Sequence, residues 1–144
     1  MNTDFAVHSG QAAVATAPGH NLRRWWSVIA ALLMAAIFVE AMFAGAMLSG
    51  APWARQAHRA TALLLLAPTI AASAAALVTL RRVPHGPRLG FLLASLAAAA
   101  VLQMAMGAMS AHGANLLWAH VPLGVALVGL AGQALAAARR LGEG

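Results

Sequence analysis

The sequence predicts an all-α integral membrane protein, a four-helix up-down bundle made of two helix-pair repeats. Composition is the first observation: 62% of the 144 residues are hydrophobic and 8% are charged, whereas roughly a quarter of the residues in ordinary soluble domains are charged. The second is the presence of four apolar stretches, each long enough for a spanning helix of about 20 residues. The third is an internal repeat. Together they predict that lipid surrounds nearly the whole chain.

Turn-forming residues separate the four apolar stretches. Gly50-Ala51-Pro52 closes the first, a Pro- and Gly-containing segment at 83–87 separates the second from the third, and His112-Gly113 precedes the fourth. The predicted helices cover about residues 25–49, 54–80, 89–111 and 116–138. They lie in a transmembrane domain at 23–140. Residues 1–22 are polar and aperiodic, and they predict a disordered cytoplasmic tail.

All nine basic side chains are arginines, and they are distributed unequally between the two ends of the predicted helices. Two of them, Arg55 and Arg59, lie at one end. The other seven lie at the opposite end: Arg23, Arg24, Arg81, Arg82, Arg88, Arg139 and Arg140. Since cytoplasmic segments carry the excess of basic residues, both termini are predicted to be cytoplasmic. The arginines flank apolar helices, so the net charge of +6 indicates topology and not nucleic-acid binding.

Two compositional features narrow the setting and the chemistry. Abundant Ala and Arg without any lysine favours a GC-rich bacterial genome, and hence the bacterial cytoplasmic (inner) membrane. The chain contains no cysteine. This excludes disulfides, Cys-ligated metals and covalent heme attachment through C-x-x-C-H.

The internal repeat appears when the sequence is shifted by 62 positions. The coincidences that matter involve scarce residues: Met42 with Met104, Gly45 with Gly107, Met47 with Met109, and His58 with His120. Each half crosses the membrane twice, so the two halves share one orientation about a pseudo-two-fold axis along the membrane normal. His58 and His120 are therefore predicted at equal depth on the second and fourth helices. These helices are diagonal neighbours in an up-down bundle, so the two imidazoles should face each other across its core.

Two facing histidines predict bis-histidine ligation of a b-type heme, because heme iron takes axial imidazoles and helical bundles hold cofactors between facing helices. A flat macrocycle needs small residues around it. Gly45 and Gly107 supply them on the first and third helices, and Ala62 and Gly124 lie four residues after the histidines. Arg55 and Arg59 are candidate partners of the heme propionates. The alternative is that each histidine is an interfacial polar residue hydrogen-bonded to a loop carbonyl or to water.

Glu40 is the sole acidic residue within a predicted span. A charged side chain in the middle of the bilayer costs about 2.5–3.5 kcal/mol, so such a residue usually has a partner or a function. One interpretation is proton exchange or contact with a bound cofactor. The other is a protonated carboxylic acid hydrogen-bonded to a neighbouring helix, for example to Gln103.

A copper site is a further alternative, because thioethers suit Cu(I). The candidate ligands cluster toward one end of the first and third helices: Met42, Met47, Met104, Met106, Met109 and His112. Methionine is also ordinary packing material in membrane helices. Heme ligation remains the preferred hypothesis.

Several short motifs resemble one four-helix half of the heme A synthase family. They are Glu40-Ala41-Met42-Phe43-Ala44-Gly45, His58-Arg59-Ala60, Gln103-Met104-Ala105-Met106-Gly107 and Ala119-His120. The resemblance covers roughly residues 27–138, and it implies a histidine pair placed to hold heme. The family's catalytic glutamate precedes a histidine of the second helix by three residues, where this chain has Arg55. The family's cysteine pair and second half are also missing, so heme hydroxylation is not carried over.

Three functions follow as hypotheses. The first is a small heme-b-binding, cytochrome-like membrane protein for electron transfer or heme handling, in contact with the lipid bilayer and with a membrane redox partner. The second is a heme-modifying oxidoreductase that acts as a homodimer. The third is a cofactor-free scaffold subunit. The arginine at the position of the family's catalytic glutamate weighs against an enzyme.

Overall fold

The computed structural model describes residues 18–143, which form four α-helices and no strand. The helices are α1 Pro18–Leu48, α2 Ala54–Thr79, α3 Gly86–Ala111 and α4 Leu117–Arg139. All four are long and apolar enough to cross a membrane. The predicted all-α, four-helix class is therefore confirmed, and the four helices indicate a multi-pass membrane protein. The predicted tail at residues 1–17 lies outside the described residues.

The helices form a closed ring of neighbours. Helix α1 packs against α2 and α4, and α3 packs against the same two helices. The pairs α1–α3 and α2–α4 have no close backbone approach, so they are the diagonals of the bundle. This is the arrangement that brings residues on α2 and α4 toward a common centre.

The two ends of the bundle carry different residues. At one end Arg23 lies 3.6 Å from Glu143, and the backbone N–H of Gly142 donates to the carbonyl of Pro84 over 3.3 Å. These contacts join the start of α1, the α2–α3 connection and the residues after α4, and we call this the arginine end. The α1–α2 and α3–α4 connections lie at the opposite end, called the histidine end. Gly50 and Gly113 have φ of +85° and +96° there, a left-handed conformation that glycine adopts without strain.

Helix α1 begins earlier than the sequence pattern predicts. It starts at Pro18 and not near Trp25, so residues 18–22 are helical and the prediction of disorder there is wrong. Apolar content detects only the part of a helix that lies in lipid. The 31 residues of α1 span roughly 46 Å at about 1.5 Å per residue. That exceeds the roughly 30 Å hydrocarbon core of a bilayer, so the polar first turns can continue beyond it.

Burial divides the bundle into two halves. The buried core belongs to the arginine half, where Leu80, Leu89, Leu93 and Leu96 are fully enclosed. In the histidine half, at residues 38–66 and 98–126, Ala54 is the single buried residue. Leucines interlock in the first half, whereas Ala, Gly and Met line the second and leave interior side chains partly accessible. The arginine half thus holds the helices together, and the histidine half is loosely packed around its centre.

Candidate functional site

His58 and His120 meet in the loosely packed half. His58 lies in the second turn of α2 and His120 in the first turn of α4, on the diagonal pair of helices. Their ring centroids are 6.4 Å apart and the ring planes are inclined by 85°. Both side chains are partly buried. The structure therefore brings together the two imidazoles that the repeat pairs by sequence.

The separation of the rings fits one metal ion between them. Metal–imidazole bonds measure about 2.0–2.1 Å, and a ring nitrogen lies roughly 1.1 Å from its ring centre. Two imidazoles on opposite sides of one metal thus have centroids about 6.3 Å apart. The 6.4 Å between His58 and His120 agrees with this value. The separation of the ring centres is therefore compatible with a shared metal-containing ligand.

Glu40 of α1 extends toward His58. Its Oε1 lies 2.8 Å from His58 Nδ1, and the exposed fractions of the His58 and Glu40 side chains are 20% and 16%. The separation is that of a charge-assisted hydrogen bond, but the two groups are not aligned for a good one. We therefore treat the contact as a close polar pair. It assigns the Nδ1 edge of His58 to the carboxyl group and leaves Nε2 for another partner.

Thr61 fixes the other oxygen of the same carboxyl group. Its hydroxyl is one turn beyond His58 on α2 and contacts Glu40 Oε2. The hydroxyl also lies 2.8 Å from the backbone carbonyl of Ala57, so its single hydrogen serves one acceptor at a time. Glu40, Thr61 and His58 thus form a polar cluster between α1 and α2. The expected partner Gln103 is not part of it.

The surroundings of His120 are different. Gly107 of α3 is so close that a Cβ there would lie 3.2 Å from His120 Cε1. A Cβ on Gly124 would lie 3.1 Å from Gln103 Nε2. A side chain at Gly107 would press on the His120 ring, whereas one at Gly124 would meet the end of the flexible Gln103 side chain. The residue equivalent to Glu40 in the repeat is Leu102, and among the described residues no carboxylate forms an ion pair with His120.

Unpaired buried polar atoms concentrate around this site. Among the described residues, the buried side-chain N and O atoms without a hydrogen-bond partner are Glu40 Oε1, His58 Nδ1, Gln103 Oε1, Ser110 Oγ and His120 Nδ1. All five belong to the histidine half. Buried polar groups are normally paired with protein or water. Glu40 Oε1 and His58 Nδ1 face each other across 2.8 Å, so the other three atoms are the ones available to water or to a polar ligand.

Four other predicted site residues, Gly45, Ala62, Arg55 and Arg59, are not among the residues described above in contact with the two histidines. A Cβ added to Gly45 would meet nothing within 4 Å, so its space is open and not a tight helix contact. Ala62 is partly buried on α2. Arg55 and Arg59 are exposed, and neither pairs with a carboxylate among the described residues. They remain free to contact an anionic group at the histidine end.

Three of the six predicted copper ligands lie at the surface of the bundle. Met42 and Met109 are 60% and 55% exposed, which directs them to the surface of the bundle. His112 is also exposed. Within residues 18–143 no group of three or more His, Cys, Asp or Glu side chains is placed to hold a metal ion. A heme requires only two protein ligands, since the macrocycle supplies the other four.

The sequence did not predict the pairing of Glu40 with His58. Glu40 was identified as an unusual acid, but its partner depends on how α1 is rotated against α2. The sequence did contain one indication of this cluster: the i, i+3 spacing of His58 and Thr61 puts both side chains on one face of the helix. Comparisons with protein-family models, curated proteins and solved structures found no match.

Proposed function

We propose that this chain is a small heme-b-binding membrane protein in which His58 and His120 are the two axial ligands, with a role in electron transfer or heme handling. The proposal depends on one observation. The two imidazoles, 6.4 Å apart, lie at the centre of the half of the bundle that is loosely packed. A heme iron between two imidazoles supplies one-electron oxidation and reduction.

The contacts of His58 support a ligand role. A metal-binding histidine usually donates its second ring N–H to a carboxylate or carbonyl, which fixes the tautomer and the ring orientation. Glu40 lies 2.8 Å from Nδ1, so it stabilises the tautomer that leaves the Nε2 lone pair free. Thr61 limits rotation of the carboxyl group. These residues would hold the imidazole in place before a ligand arrives, which reduces the ordering cost of binding.

The other residues of the site have complementary roles in this proposal. Gly107 and Gly124 allow α3 to approach α4 beside His120. Arg55 and Arg59 are exposed at the histidine end, where they would pair with the propionates.

The setting is part of the same proposal. The resemblance to half of a heme A synthase supports heme binding, while Arg55 in place of the family's glutamate argues against hydroxylation of the heme. The unequal distribution of arginines supports an arginine end in the cytoplasm, and abundant Ala and Arg without lysine supports a bacterial inner membrane. A redox partner would then approach within the membrane plane or from the histidine end.

The test is an absorption spectrum of the purified protein, made with heme supplied during expression. We expect the reduced-minus-oxidised spectrum of a low-spin, bis-histidine b-type cytochrome. His58→Ala and His120→Ala should each abolish it, and His112→Ala, at the same end but outside the site, should preserve it. Circular dichroism checks that each variant is helical, and imidazole added to His120→Ala should restore part of the low-spin signal. Colourless wild-type protein, or normal spectra in both site variants, would refute the proposal.

A further inference from the structure

A second polar site lies at the arginine end, far from the histidines. An open cleft of about 560 Å³ is lined by His20, Arg23, Arg24, Ser27 and Arg139. Four of these residues belong to the first turns of α1 and one to the last turn of α4. Three guanidinium groups therefore border one cleft, and no carboxylate of residues 18–143 lines it. This is an arrangement for binding an anion.

A neighbouring carboxylate leaves most of this charge free. Glu143 lies 3.6 Å from Arg23, and the two side chains are 55% and 40% exposed. Ion pairs this exposed contribute little to stability and exchange readily with water. Arg24 and Arg139 have no carboxylate partner among residues 18–143. Within the described part of the chain, the cleft thus keeps the positive charges of Arg24 and Arg139 without an ion-pair partner.

We propose that this cleft binds the phosphate group of an anionic phospholipid. Guanidinium groups match phosphate oxygens in geometry and charge, and basic pockets between helices on the cytoplasmic side of membrane proteins bind anionic headgroups. The exposed apolar side chains next to the cleft favour a lipid over free phosphate. Val28 and Leu32 follow Arg24 at intervals of four on α1, and they are 42% and 65% exposed. Acyl chains would lie along this face below a headgroup held by the arginines.

Other arginines at the same end provide the internal comparison. Arg81 and Arg82 are exposed beyond the end of α2, and they line neither of the two clefts described at the arginine end. The second cleft, bordered by Arg88 and Arg140, measures about 80 Å³. A general attraction of basic residues to a negative surface would involve all of these arginines equally. Specific binding would depend on those of the larger cleft.

The experiment measures lipid binding to delipidated, detergent-solubilised protein by native mass spectrometry. The probes are dioleoylphosphatidylglycerol, dioleoylphosphatidylcholine and inorganic phosphate. The double variant Arg24→Gln/Arg139→Gln is compared with Arg81→Gln/Arg82→Gln, which removes the same charge from the same end. We expect phosphatidylglycerol to bind the first variant at least about 10-fold more weakly than wild type, and the second within about threefold. Circular dichroism of both variants checks their folding.

Each outcome decides the proposal. Preference for phosphatidylglycerol over phosphatidylcholine, lost only in the cleft variant, supports it. If inorganic phosphate binds as tightly as the lipid and depends on the same arginines, the cleft is an anion site but its ligand is not a lipid. Equal binding of both lipids, or equal losses in the two double variants, would overturn the site itself. None of these results depends on whether the protein holds heme.

Discussion

Glu40 and His58 provide the most direct test of the site geometry, because their contact can be measured without any cofactor. The change is a double-mutant cycle that combines Glu40→Ala with His58→Ala. Thr61 loses its contact with Glu40 in both variants that lack the carboxyl group, so that loss cancels in the cycle. The coupling free energy therefore isolates the Glu40–His58 pair.

The magnitude follows from burial and alignment. Hydrogen bonds to charged groups contribute about 1.5–3 kcal/mol in soluble proteins. Double-mutant cycles between membrane helices average about 0.6 kcal/mol, with a maximum near 1.7 kcal/mol. The Glu40–His58 contact is short at 2.8 Å, but it is imperfectly aligned and its side chains are 16% and 20% exposed. We expect a coupling of about 1 kcal/mol, or roughly a fivefold change in the unfolding equilibrium.

The assay is reversible unfolding by sodium dodecyl sulfate in mixed micelles, followed by circular dichroism. Heme-free protein is used, because a ligand that binds the folded state would add to the measured free energy. The control is a second cycle between His58→Ala and Glu143→Ala. Glu143 is a carboxylate at the arginine end that pairs with Arg23. This control cycle should be additive to within about 0.3–0.5 kcal/mol. A Glu40–His58 coupling no larger than the control would show that the pair does not exist as described.

Two further predictions concern packing. Gly107→Leu should abolish heme binding, because even a Cβ at this position lies 3.2 Å from the His120 ring. Gly45→Ala should preserve the absorption spectrum, since its Cβ meets nothing within 4 Å. Equal spectra in the two variants would contradict the assigned contacts. Leu96→Ala removes a fully buried side chain from the arginine half and should lower the free energy of unfolding by about 2 kcal/mol or more. Leu123→Ala removes a partly buried side chain from the histidine half, and its loss of unfolding free energy should be smaller than that of Leu96→Ala by at least about 1 kcal/mol. Dodecyl sulfate unfolding measures both leucine variants, and equal losses would mean that the two halves are packed alike.

Sequence patterns determined most of the helical architecture. The start of α2 at Ala54 and the ends of α2 and α3 agree with the prediction to within one residue. These boundaries are predictable because turn residues and apolar length are both local properties. The early start of α1 was missed because its first turns are polar. Pro18 at the first helical position was a usable signal, since proline is favoured there.

The site was only partly predictable for a physical reason. The repeat predicted that His58 and His120 lie on diagonal helices at the same depth. That prediction does not depend on the exact rotation of each helix about its axis. The partner of Glu40 depends on the rotation of α1 against α2, and composition or spacing on α1 alone cannot specify it. The same limitation explains why Gly45 and Gly107, equivalent in the repeat, have different surroundings. These side-chain contacts depend on how the helices pack against one another, and the residues of one helix alone do not specify that packing.

The polar cluster makes the two halves of the repeat chemically unequal. His58 Nδ1 lies 2.8 Å from the Glu40 carboxyl group, whereas the position equivalent to Glu40 in the second half is Leu102. A histidine whose second nitrogen is paired has a fixed tautomer and orientation, and an unpaired one can rotate or change tautomer at lower cost. Within the proposed function, His58 is therefore the fixed axial ligand and His120 the adaptable one. Exchange with an external ligand such as imidazole should then occur on the His120 side.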